Sequence, residues 1–440
     1  MYLNSNINFF KSNFFNFLLG LMPFSFIAGN MIININLILI ILLGIVIYNK
    51  KLFIEKYYLV DKLIILFFVL IIFTSFFNDI FVFNKLFWVT KFSTTLRSFL
   101  FLKYLLLYFV LKYLIENDII KLKLFFVSCA LASIFVCFDI FYQFINGTDI
   151  FGYKTIPELR KLGGPFGDEL IAGGFIQRFS ILSFFVIPLY FAKELGKYIR
   201  YIIPILFFIF FVGIILSGNR MPLLLFLLSM TLILFFQKQT KKYFLSFIII
   251  FPIIFTIFFN FNEKVRLNYN NFYGQISQII NISSQSNFNE KELSPYLKEF
   301  NSFYETWRLN KYIGGGIKSF RYYCHVRDNI DPNSKFKCNM HPHNYYLEIL
   351  TETGLIGFTI IISLFVIILY LTFYKKYFSD SKIKDNNHII PFIFLFITEI
   401  FPLKSTGSFF TTGNATYFFI LLAVLIGLVR RESKFNNPNI

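Results

Sequence analysis

The chain is short of the residues that hold metals, nucleotides and disulfide frameworks. Its 440 residues include only four cysteines, four histidines and two tryptophans. No G-x-x-x-x-G-K-[ST] loop occurs, so ATP is not the expected energy source. No acidic pair falls into a Mg²⁺-binding motif. Cys338, His341 and His343 lie close together, but their spacing matches no common zinc pattern. The chain is therefore expected to work without a metal or other cofactor. Acidic residues are also scarce, 24 against 42 Lys and Arg, for a net charge of +18. With 66 Phe and abundant Ile, Asn, Lys and Tyr, that charge is weak support for a nucleic-acid partner, and none is expected.

What the chain has in excess is apolar length. It is 56% hydrophobic with a mean hydropathy of +0.64. Apolar runs of about twenty residues recur along it, the length a bilayer demands. A soluble core would show amphipathic stripes instead. The sequence predicts an all-α polytopic membrane protein of about twelve spans: Phe14–Ala28, Met31–Tyr48, Leu63–Phe77, Ser98–Leu114, Leu122–Ile145, Ile171–Ala192, Tyr201–Leu216, Met221–Phe236, Tyr243–Asn260, Leu355–Phe373, Ile389–Leu403 and Ala415–Val429. The start carries one Lys and no small-residue cleavage site before the second apolar run, so the first span is expected to stay as a signal anchor.

Charge sets the orientation. With both termini in the cytoplasm, the inside segments hold 21 cations and the short outside loops eight. That asymmetry obeys the positive-inside rule at every turn. The chain divides into residues 1–260 with nine spans, a long polar loop at 261–343 on the non-cytoplasmic side, and residues 344–440 with three spans. The long loop holds 11 Lys and Arg, but long translocated loops are exempt from the charge rule. A surface helix is expected within Glu290–Leu309. Loops of this length without a function are uncommon. Cys324 and Cys338 lie in this loop, and an oxidising compartment lets them pair; the alternative is two free thiols. Cys129 and Cys137 read as small core residues of a span.

Four stretches on the non-cytoplasmic side could carry chemistry. Ser217-Gly218-Asn219-Arg220 is a tight turn that places Arg220 at the membrane mouth, where it either serves a ligand or snorkels to headgroups. Arg160 to Gly174 is glycine-rich and leads into Arg178, an intramembrane cation whose cost implies an interior cavity or an anion. Asp168 and Glu169 in that stretch are candidates for acid–base work or for helix capping. His341 to Gly357 contains His343, which titrates near neutral pH and suits a base, a proton donor or a phosphate ligand. A helix is expected to begin near His343, with Gly354 and Gly357 marking a break or close packing before the next span. Lys404 directly follows a span containing Glu399 and either pairs with it or holds an anion. Arg178, Arg220, Arg308, Lys404 and His343 together would make one positive cavity suited to a departing diphosphate.

These residues resemble the O-antigen ligase and polymerase family of bacterial envelope glycosyltransferases. The ligase signature is His, then Asn, Ser or Gln, nine residues, Gly, two residues, Gly. Here it reads His343, Asn344, Tyr345–Thr353, Gly354, Leu355-Ile356, Gly357. Leu216-Ser217-Gly218-Asn219-Arg220 is similar to the family's Ser-Gly-Glu-Arg turn, with Asn219 in place of Glu. Gly164 to Gly173, Gly314 to Phe320 and Pro402 to Phe410 also fit. The resemblance implies a GT-C-type, metal-independent, inverting transferase whose active site faces the periplasm across the bacterial inner membrane. The implied donor is a glycan on undecaprenyl diphosphate. The implied acceptor is a lipid A-core sugar for a ligase, or a second lipid-linked repeat for a polymerase, with membrane lipids around both. Arg220, Lys404, Arg178 and Arg308 would bind the diphosphate. His343 would take the acceptor proton or hold the diphosphate.

Two rival readings stand beside the ligase. The nearer one is a polymerase, with the same chemistry and another acceptor. The second is a lipid-linked sugar transporter, which twelve spans would suit. A transporter more often shows half-length helices in repeated halves and charges at mid-depth, whereas these charges collect at one face.

Overall fold

The computed structural model describes residues 2–54, 56–82, 92–155, 161–237, 241–282, 295–324, 343–379, 388–404 and 407–436. Among them the backbone is helical, with one isolated antiparallel bridge between Thr148 and Lys154. The first helices are α1 (Tyr2–Ala28), α2 (Asn30–Tyr48), the short α3 (Lys51–Ile54), α4 (Leu59–Phe81), α5 (Ser93–Glu116) and α6 (Lys123–Asn146). Then come α7 (Ala172–Tyr190), the short α8 (Ala192–Leu195), α9 (Ile199–Leu216), α10 (Arg220–Phe236), α11 (Lys241–Phe261) and α12 (Glu263–Ile282). The last are α13 (Pro295–Arg308), the short α14 (Phe320–Tyr323), α15 (Tyr345–Leu369), α16 (Ile389–Glu399) and α17 (Thr412–Asn436).

The chain is a multi-pass membrane protein. Eight of the described helices are long and apolar enough to cross a bilayer: α2, α4, α5, α6, α7, the α8–α9 stretch, α15 and α17. A ninth crossing is available if α11 and α12, bent by 106° at their junction, count as one broken span. Three shorter apolar helices, Ser12–Ala28, α10 and α16, fall on the other expected segments. At 11 residues, α16 is only about 16 Å long, well short of the roughly 30 Å hydrocarbon layer. Twelve crossings thus require these short helices to be completed by flanking chain. Lipid-facing surfaces are visible as apolar side chains left outside the packing, such as Ile35, Leu42 and Val46 on α2.

Close packing is carried by small residues. Gly427 of α17 approaches Ile115 of α5, Gly44 of α2 approaches Val110, and Gly213 of α9 approaches Cys137; an added Cβ would lie within 2.9 Å of each neighbour. Cys129 and Cys137 are buried free thiols, as small core residues should be.

One buried charge network lies at the end of the molecule opposite the candidate site. Asp61 accepts from Tyr108 Oη at 2.8 Å, from Lys112 Nζ at 3.0 Å and from the Tyr58 amide at 2.9 Å, and it pairs with Arg430. The network ties α4, α5 and α17 together. Lys112 and Arg430 are among the 21 cations counted on the inside. Both are buried on helices and face a carboxylate, not headgroups.

The segment expected as a loop is more helical than its composition suggested. α12 runs 20 residues and turns back along the molecule, while α13 matches the expected surface helix. α15 begins at Tyr345, ten residues before the expected span, and is broken at Gly354. Gly354 has φ 64° and ψ −171°, a region open essentially to glycine alone. The break lets the amides of Leu355 and Ile356 reach the carbonyls of Lys311 and Tyr312, at 2.9 and 3.1 Å.

Candidate active site

Two of the sequence-predicted cations, Arg178 and Lys404, meet Glu399 beside the start of α15. Their shared floor is the first turns of α15. Asn344 caps that helix: its side-chain oxygen accepts from the amides of Tyr346 (3.0 Å) and Leu347 (3.1 Å), satisfying two otherwise orphaned donors. Its side-chain amide donates to the carbonyl of Pro402 at 2.8 Å, which fixes the α16–α17 connection against α15. His343, immediately before, sits at φ 52°, a left-handed backbone uncommon for a residue with a side chain.

Arg178, Glu399 and Lys404 meet in a buried cluster. Arg178 donates through Nε (3.3 Å) and Nη2 (3.0 Å) to the two oxygens of Glu399, a bidentate pairing. Its Nη2 also reaches Tyr345 Oη at 3.1 Å, and its guanidinium lies 4.8 Å from the Tyr417 ring centre. Lys404 Nζ is 2.5 Å from Glu399 Oε1 and 4.9 Å from the Tyr345 ring centre. Two cations share one carboxylate, so the cluster keeps a surplus positive charge. Burial pushes Lys404 down to about 7, outweighing the attraction of Glu399, and Arg178 adds to the lowering.

Arg220 occupies a neighbouring position. Asn219 links its turn to α7: the Gly173 amide donates to Asn219 Oδ1 at 3.1 Å, and Asn219 Nδ2 donates to the Leu170 carbonyl at 3.0 Å. A glutamate there could accept but not donate, so the Asn fits this two-way bridge. Gly173 also leaves room that Ser217 and Asn219 fill. Arg220 donates to the Asn268 carbonyl at 3.4 Å and lies 5.3 Å from the Phe272 ring centre. Beside it opens a cavity of about 360 Å³, lined by Gln143, Lys161, Gly218, Asn262, Lys264 and Asn268 among others. Lys161 is lowered mainly by burial and then by the charge of Arg220.

The other expected residues lie apart. Arg308 is exposed on α13 and pairs with Glu305 of its own helix at 3.1 Å. Asp168 and Glu169 are exposed before α7, whose N-cap position is Ile171, so neither caps it. Cys324 is buried and disulfide-bonded, while its expected partner Cys338, like Arg160 and His341, lies outside the described residues.

Several polar residues escaped the reading of the sequence. Glu348 accepts from the Ser408 hydroxyl and from the Phe409 amide (2.6 Å), fastening the loop that carries Lys404. Glu352 is equally buried one turn on. The available signal was the cost of placing two carboxylates in an otherwise apolar helix.

No curated protein matches the chain. Residues 205–362, which span the Arg220 turn and the whole His343–Gly357 signature, match the family model described as O-Antigen ligase, and this match supports the O-antigen ligase and polymerase family that the motifs resemble.

Proposed function

We propose that this protein is an O-antigen ligase of the bacterial inner membrane. It would move a glycan from undecaprenyl diphosphate to a sugar of the lipid A core at the periplasmic face. The observation that carries this reading is the matched signature, whose helix start is held against the Arg178–Glu399–Lys404 cluster. In the reaction, an acceptor hydroxyl attacks the anomeric carbon in line and inverts it. The bond from that carbon to the diphosphate oxygen breaks, and the electron pair leaves with the diphosphate. The hydroxyl proton passes to His343, which immediately precedes the Asn344 cap of α15. Arg178 and Lys404, preorganised by Glu399, supply surplus positive charge toward the leaving group, and Arg220 does so from its own turn.

The test is reconstitution of the purified protein with an undecaprenyl-diphosphate glycan and either lipid A-core or a second lipid-linked repeat, with EDTA and without ATP. Glycan on lipid A-core is the expected result. Lengthening of the lipid-linked chain instead would make the protein a polymerase working through the same site.

A further inference from the structure

A second polar cluster lies on the same face of α15, beyond the one that serves the transfer. Arg97 projects from the start of α5, Lys318 and Arg321 from the Gly314–Tyr323 segment, and Glu352 from α15. The segment is fastened in place. The Gly315 and Gly316 amides donate to the Thr351 and Glu352 carbonyls at 3.2 and 2.8 Å, and the Ile317 amide to Ser75 Oγ at 3.3 Å. Asn78 Nδ2 holds the Gly314 carbonyl at 3.0 Å. The Arg97 guanidinium lies 5.9 Å from the Tyr322 ring centre.

The Glu352 carboxylate accepts from the Lys318 backbone, but these charges close no ion pair with one another. Among the described residues, Arg97, Lys318 and Arg321 make no ion pair. Four buried polar atoms without a hydrogen-bond partner fall in this one place: Arg97 Nη1, Ser319 Oγ, Arg321 Nε and Glu352 Oε2. Such atoms are costly and are normally satisfied. Lys318 also holds φ 56°, a strained backbone for a residue with a side chain. The nearby Glu348 is already occupied by Ser408 and Phe409.

We propose that Arg97, Lys318, Arg321 and Glu352 form a binding site for an anionic saccharide. Two guanidiniums and an ammonium suit a phosphate or carboxylate substituent, and the spare oxygen of Glu352 accepts from a sugar hydroxyl. Resting on the transfer reading above, this is the acceptor site. Tyr345 and Glu352 are seven residues apart, so the two clusters are separated by about 10 Å along the helix.

The test uses the full chain in nanodiscs of phosphatidylcholine, with glucose 6-phosphate, glucose and inorganic phosphate as probes in ligand-observed NMR titrations. Glucose 6-phosphate should bind about tenfold more tightly than either comparator, and Arg97→Gln with Arg321→Gln should weaken it about tenfold or more. Arg97→Lys with Arg321→Lys should recover part of that loss, separating charge from misfolding. Equal binding by wild type and the Gln double variant would overturn the site, and so would inorganic phosphate binding as tightly as the sugar phosphate. Competition by phosphatidylglycerol placed in the nanodisc, with no effect of glucose 6-phosphate, would assign the cations to a lipid headgroup and also overturn it. In the transfer assay, the Gln double variant should raise KM for the acceptor and leave KM for the donor unchanged. Saccharide binding without any transfer by wild type would reject the transfer reading and leave the site standing.

Discussion

Lys404 is a buried ammonium between a carboxylate and a guanidinium, and its proton is the most easily lost in the cluster. Its value of about 7 lies below the ordinary lysine value, so the charge is present below that pH and lost above it. If that charge stabilises the leaving diphosphate, the transfer rate should fall as pH rises through about 7. Lys404→Arg, which stays charged, should remove that step while keeping transfer measurable; a profile unchanged by the substitution would exclude Lys404 from the charge balance. The Lys404–Glu399 pair was legible because the two residues flank one helix end. The grouping of Lys318, Arg321 and Glu352 was not. It exists only because glycine amides zip a remote segment onto α15, and nothing in the local pattern announces that.

At the scale of the element, α15 is the piece that joins the site to the membrane. Its broken turn was readable from Gly354 and Gly357, and its early start from Pro342 and His343, but the two glycines do different work. Gly354 alone leaves helical geometry. A Cβ there would meet the Tyr312 carbonyl at 2.2 Å, and the backbone itself is closed to alanine. Gly354→Ala should therefore cost about 2 kcal/mol or more and lower the unfolding temperature by several degrees. Gly174→Ala, in a helix with nothing within 4 Å of the new methyl, should be neutral or slightly stabilising. Equal effects at both positions in detergent melts would contradict this geometry. The turn of α12 back along the molecule was not legible. Its polar composition resembles a loop, and its stability comes from a few buried contacts such as Val265 and Asn268 that only the assembled fold supplies.

Among the described residues, the buried ion pairs fall into two groups, one around Asp61 and one around Glu399. The first is a closed clamp, in which Asp61 binds Lys112, Arg430, Tyr108 and the Tyr58 amide. The second is the candidate site, where the cations outnumber the carboxylate they share. The multi-pass character was readable from apolar length, though eight helices, or nine with the bent pair, are long and apolar enough to cross where twelve spans were expected. The clamp was not, because Lys112 and Arg430 look like ordinary membrane-flanking cations until their partner Asp61 is brought to them. The central claim is that the candidate site transfers a glycan. Its most direct test is the transfer rate of His343→Ala and Arg178→Ala in the reconstituted system, with each variant first shown to be folded and monodisperse. Loss of about a hundredfold or more in both is the result predicted. Transfer at the wild-type rate by both would contradict the assignment of the active site.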